Sequence, residues 1–138
     1  MSATDDMREL LDRMYDSFAS GDPTVWTDNV ADVVLGIGTD ADEWWEGRSL
    51  IAKVVATQVQ EMSSEGVRLT AGQPHIVAYG DVVWSVDRPV LHLGDGTETP
   101  LRVTAIAVSA HESLQLTHFH YSVGSGNAEV FQQELTTR

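Results

Sequence analysis

The chain has 138 residues, so residues 1–138 are read as a single domain, large enough to bury roughly two-thirds of its unfolded surface without metal or disulfide support. With 21 acidic against 8 basic residues, its formal net charge is −13, which repels nucleic acid and anionic membranes and argues against both as partners. Cysteine is absent, which excludes disulfides, thiolate zinc sites and cysteine nucleophiles together and suits a cytoplasmic protein.

In chain order, the first periodic segment runs from about Asp5 to Ser20. Met7, Leu10, Leu11, Met14 and Phe18 recur at three- and four-residue spacing and predict one helical stripe. Ser20-Gly21 ends it, and Asp22-Pro23 opens a short second helix to about Asn29 that carries Val25 and Trp26 inward. Val33, Val34, Leu35 and Ile37 predict a first strand, broken into a loop by Gly36, Gly38 and Thr39-Asp40-Ala41-Asp42. Glu43-Trp44-Trp45-Glu46-Gly47 follows. A third helix spans about Ser49–Ser63, with Leu50, Ile51, Val54, Val55, Gln58 and Met62 on its inner face.

After Gly66 the period drops to two. Strands are predicted at about 67–71, 76–78, 82–93, 98–109 and 113–123. Gly94-Asp95-Gly96-Thr97 is a strong hairpin turn and Ala110-His111-Glu112 a weaker one. Pro89 marks a bulge or a sheet edge. A short helix from about Ala128 to Leu135 ends the chain. No apolar run approaches the ~18 residues of a membrane span, and the amino terminus lacks the basic-then-apolar order of a signal peptide. Helices followed by a meander of long strands imply an α+β fold, with a curved antiparallel sheet closed by N-terminal helices into a cone that has a cavity.

Four segments carry a family resemblance. They are Phe18-Ala19-Ser20-Gly21-Asp22, the loop from Gly38 through Trp44-Trp45 to Gly47, the Gly94–Thr97 hairpin, and the closing strand His120-Tyr121-Ser122-Val123-Gly124. The chain resembles the nuclear-transport-factor-2-like superfamily, and within it the SnoaL-like domains, over nearly its whole length. The resemblance implies a cystatin-like, cone-shaped α+β barrel, a pocket between the sheet and the first helices, and a homodimer formed through the outer sheet face. Members include isomerases, cyclases, dehydratases, hydrolases and proteins that only bind, so the fold alone fixes no reaction.

Strand alternation sorts the last strand into two faces, Leu114, Leu116, His118, His120 and Ser122 against Gln115, Thr117, Phe119, Tyr121 and Val123. The first set is assigned inward, with Arg102 and Thr104 beside it. The resemblance places His120 and Ser122 there as well. A bulge would reverse the assignment. His120 has the intrinsic pKa of an acid/base group near neutrality. Arg102, in an apolar strand, needs an anionic partner, either Asp87 or a ligand. His118 and His120 form an HxH pair that His92 or His75 could complete, but HxH alone is no ligand motif and no metal is expected.

Asp40 lies where steroid isomerases of the superfamily keep their proton-shuttling aspartate; a turn-capping role competes with that reading. Ketosteroid-type chemistry is disfavoured. Met14 falls at the family's tyrosine position, with Tyr15 one step round the helix, and the strand Thr104–Val108 has no carboxylate for an oxyanion hole. Tyr15, Trp26, Trp44, Trp45 and Trp84 are expected around a cavity for a small apolar or aromatic ligand, at least two of them in its wall. No cofactor is expected, because the chain has no Walker loop, dinucleotide fingerprint or serine elbow. Three functions compete. The first is a cofactor-independent acid/base enzyme using His120, Arg102 and Asp40. The second is a non-catalytic small-molecule-binding domain, and the third a dimerisation module.

Overall fold

The computed structural model describes residues 2–138. Helix α1 (Ala3–Ser20) begins with a capping box, in which Ser2 Oγ accepts from the Asp5 N–H at 3.2 Å while the Asp5 carboxylate accepts from the Ser2 N–H. It stops at Gly21, which takes a left-handed φ of 76°. Its predicted stripe is buried throughout, joined by Tyr15 and Ser17. The Asp22 carboxylate accepts from the Thr24 N–H and opens α2 (Thr24–Asp28), which buries Val25 and Trp26. Helix α3 (Arg48–Ser64) buries Ile51, Val55 and Val59 at a four-residue step. Leu50, expected inward, lies a hundred-degree turn off that stripe and is exposed.

Among the described residues nine strands occur in chain order: β1 (Val30–Ile37), β2 (Trp44–Glu46), β3 (Arg68–Thr70), β4 (His75–Tyr79), β5 (Val82–Asp87), β6 (Val90–His92), β7 (Glu98–Pro100), β8 (Arg102–Ala110) and β9 (Ser113–Ser122). A short helix, α4 (Asn127–Phe131), comes last. Both long strands expected between Val82 and Ser109 are broken. The first breaks at Arg88-Pro89, where proline offers no N–H to a ladder; the second breaks at Leu101, whose N–H instead bonds the Pro89 carbonyl at 2.9 Å. The stretch between these breaks, β6 and β7, pairs with β3 in a second sheet, β3-β6-β7, set off from the six-stranded sheet β2-β1-β9-β8-β5-β4. The large sheet is not wholly antiparallel, since β1 runs parallel to β9. It is also not a closed barrel: β2 and β4 are its edges. The result is an α+β cone with α1 and α3 against the inner sheet face and an apolar core between them.

One irregularity decides which side chains face that core. In the β8–β9 ladder Ile106 stands opposite His118 but Ala107 opposite Leu116, so Thr117 has no partner. The bulge resets the alternation. Leu114 and Leu116 point inward before it, and Phe119 and Tyr121 point inward after it. Thr117 and His118 turn instead to β1, where their side chains bond the carbonyls of Val33 and Leu35, each at 2.8 Å. The inward assignment of His118, His120 and Ser122 is therefore corrected: after the bulge they lie on the outer sheet face. So do Arg102 and Thr104, which pair across from Ser122 and His120, while Leu101, Val103, Ala105 and Ala107 are buried.

Candidate functional site

The cavity that opens in the cone has a volume of about 310 Å³. Five aromatic rings form much of its wall: Phe18 from α1, Trp26 from α2, Trp45 from β2, and Phe119 and Tyr121 from β9. They pack mostly edge to face. Trp26 and Phe119 have ring centroids 5.0 Å apart, and Phe18 and Tyr121 6.0 Å apart. Val55, Met62, Leu69, Leu91 and Leu101 complete the apolar part. The polar part is confined to Thr39, Glu43, Gln58 and Glu61, together with the backbone of Gly38.

Two glycines make this wall possible. A Cβ at Gly36 would collide with the Phe119 ring, and one at Gly38 would collide with the Glu43 carboxylate and come within 2.8 Å of the Trp45 ring. Glycine at these positions lets an aromatic ring and a carboxylate lie directly across β1 and the start of its loop.

Glu43 is held from two directions. Its Oε1 accepts from the Asp40 N–H at 2.9 Å and its Oε2 accepts from the Gln58 amide at 2.6 Å. Both donors are neutral, so the carboxylate is positioned without being neutralised. The described salt bridges, Arg48–Asp32 and His92–Glu98, lie elsewhere, and the cavity lining contains no lysine, arginine or histidine.

Behind the aromatic wall is a second polar arrangement. The Tyr15 hydroxyl donates to Asp87 Oδ2 at 2.9 Å, and the buried Asp87 carboxylate also accepts from the N–H groups of Gly72 and Arg88. This ties α1 to the point where β5 breaks. Burial, then the neighbouring Tyr121 and Asp87, push the Tyr15 hydroxyl far above the ordinary tyrosine range. Burial alone does the same to Tyr121, whose hydroxyl has no hydrogen-bond partner among the described residues.

The residues singled out from sequence are thus dispersed. Trp26 and Trp45 line the cavity. Tyr15 lies behind the wall. Trp44 is 58% exposed on the outer face, and Trp84 lies on the same face beside the His75 ring. Arg102 and His120 are exposed outside the sheet, so Arg102 has neither Asp87 nor a cavity ligand as partner. Asp40 is exposed in its loop, where its carboxylate accepts from the Asp42 N–H at 2.8 Å as the turn-capping reading requires. His120, Arg102 and Asp40 do not converge. His92 is bonded to Thr70 and lies against Glu98 on the small sheet, apart from His118 and His120. Among the described residues no group of three metal-ligating side chains occurs. Sequence reasoning misses Glu43, Phe119 and Tyr121 as lining residues and places Gln58 on the inner face of its helix without a role at a site; the local cue for Glu43 is its adjacency to Trp44-Trp45.

No helix among the described residues is long and apolar enough to cross a membrane. A search of the curated proteins finds no match. Solved structures share the fold at low identity. An NTF2-like protein of unknown function from Pseudomonas putida KT2440 is 18% identical with a TM-score of 0.80, covering 99% of this chain and 95% of its own. An NTF2-like protein with a cystatin-like fold from Novosphingobium aromaticivorans is 16% identical with a TM-score of 0.74, covering 94% and 88%. A protein of the NTF2-like family from Streptomyces avermitilis, named as a dehydratase without proof of the activity, is 13% identical with a TM-score of 0.74, covering 89% and 96%. Residues 7–125 match the family model described as a SnoaL-like domain, and with that match spanning most of its length the chain belongs to the SnoaL-like domain family.

Proposed function

We propose that the cavity binds a small, mostly apolar, ring-bearing molecule, and that two copies of the chain pair through the outer sheet face. The observation that carries the binding reading is the aromatic cavity itself. Its volume of about 310 Å³ lies at the lower end of the roughly 300–1,000 Å³ typical of small-molecule sites, and its wall is apolar with few polar groups. Trp26 and Trp45 provide a built-in reporter. A thermal-shift screen of ring compounds, followed by quenching of tryptophan fluorescence, tests the reading; a ligand at a hundred times its Kd adds about 2.7 kcal/mol of stability. If nothing in such a screen binds, or if Trp45→Leu leaves the affinity of a hit unchanged, the cavity is not the site.

Pairing is supported by the apolar outer face, where Trp84, Ile106 and Val108 are half-buried and Val82, Val86 and Tyr79 are exposed. Apolar side chains grouped on an exposed sheet face favour association. Sedimentation gives the mass: a dimer that Val86→Glu dissociates is expected, and a monomer at all concentrations refutes it.

Acid/base chemistry on the bound molecule is a second reading, and Glu43 is the observation that favours it. A positioned carboxylate in an apolar wall is a general base in the right kind of place. The dehydratase name of the Streptomyces avermitilis protein is in keeping with it. The reaction would be of the isomerase, cyclase, dehydratase or hydrolase type and would need no cofactor. Glu43→Gln would then abolish turnover of a bound compound without weakening the binding of an uncharged one.

A further inference from the structure

The ionic character of the cavity mouth narrows the class of ligand beyond the binding reading, on which this inference rests. We infer that the cavity selects a hydrophobic amine: a flat ring system seated among the aromatic side chains, with its ammonium group at the mouth against Glu43 and Glu61.

Four observations carry this. First, the lining contains two carboxylic side chains, Glu43 and Glu61, and no lysine, arginine or histidine. Secondly, Glu43 is half-buried and held at the cavity by two neutral hydrogen-bond donors, with no cationic side chain in the lining beside it. A carboxylate in that setting gains from a cation far more than one in water does. Thirdly, the neighbouring wall includes Trp26, Trp45 and Phe119, and the faces of aromatic rings, tryptophan best, attract an ammonium group within about 6 Å. Fourthly, the chain's charge of −13 attracts cations over a longer range and repels anionic analogues before they arrive. A carboxylate ligand would meet two acidic side chains and no basic one. A neutral ligand would fill the apolar volume but leave Glu43 unpaired.

The test uses three probes that share one ring system and differ in charge, naphthylmethylamine, naphthylmethanol and naphthoate, titrated calorimetrically against the full chain at neutral pH. The amine is expected to bind about tenfold more tightly than the alcohol, a difference of about 1.4 kcal/mol, and naphthoate more weakly than either. Glu43→Gln, which keeps the size and the hydrogen-bonding shape of the side chain, is expected to remove the amine's advantage while the alcohol's affinity stays. Glu61→Gln should reduce that advantage in part, and raising the salt concentration should reduce it in the wild type. If the alcohol binds as well as the amine, or the amine's advantage survives Glu43→Gln, the amine inference is overturned while the binding reading stands. If none of the three binds and the wider screen is also empty, the binding reading itself has failed. Retained binding of the alcohol by Glu43→Gln shows that the variant is folded.

Discussion

Raising the pH through the tyrosine range should unfold this domain with an unusual steepness, because burial holds two of its three tyrosines protonated well above the ordinary tyrosine range while it is folded. The hydroxyls of Tyr15 and Tyr121 both titrate far above the ordinary value of 10.0, in each case chiefly because burial disfavours the phenolate. The unfolded chain has no such restriction. Above about pH 10 it releases two protons that the folded chain retains, so the unfolded state gains stability with every further unit. The contribution of these residues to folding is therefore complete below pH 10 and is lost progressively above it. Each retained proton costs about 1.4 kcal/mol per pH unit, so the pair costs about 2.7 kcal/mol per unit. Between pH 10 and 12 the loss amounts to about 5 kcal/mol, comparable with the whole stability of a small domain. Urea titrations followed by circular dichroism at half-unit steps from pH 8 to 12 would measure the slope. Tyr15→Phe and Tyr121→Phe should each lower it by about 1.4 kcal/mol per unit, which removes the general effect of charge repulsion from the comparison. If either variant has the wild-type slope, that phenol ionises in the folded chain and its burial does not have the consequence described.

At neutral pH the same two substitutions should differ in sign. Tyr15→Phe removes a donor from the buried Asp87 carboxylate and should cost about 1.5–3 kcal/mol, readable as a lower Tm. Tyr121→Phe removes a hydroxyl that has no partner and keeps the ring packing against Phe18 and Phe119, so it should stabilise the fold by about 1 kcal/mol in the same measurement. Gly36→Ala should cost about 1–3 kcal/mol and lower the affinity of any cavity ligand, because its Cβ displaces the Phe119 ring; an unchanged Tm would show that the ring moves freely. In the β8–β9 turn, His111 and Glu112 both take positive φ, 52° and 65°, so Glu112→Gly should raise the midpoint of denaturant unfolding by about 0.5–1 kcal/mol equivalent.

Helix α1 was legible because five apolar residues at three- and four-residue spacing leave only one face to bury, and that stripe is the one in the core. The Gly94–Thr97 turn was legible for a similar reason, since it depends on the backbone preferences of a few adjacent residues; Pro89 marked an irregularity, but not that the strand ends there and its continuation joins a second sheet. The order of helices and strands, and with it the α+β cone and its family, followed from such local signals. The inner and outer faces of β9 did not. Alternation is a reliable guide only while every residue has a cross-strand partner, and the unpaired Thr117 inverts it between Leu116 and Phe119. Nothing in Leu116-Thr117-His118-Phe119 marks the bulge; it exists because Thr117 and His118 find the carbonyls of Val33 and Leu35 on a strand more than eighty residues earlier. That single unpaired residue turns His118, His120 and Ser122 outward and brings Phe119 and Tyr121 to the cavity. The cavity draws its aromatic rings from α1, α2, β2 and β9 and its one fixed carboxylate from a loop, a grouping that depends on packing across the whole chain. Local chemistry therefore determined which elements this protein has, and tertiary structure alone decided which of their side chains meet.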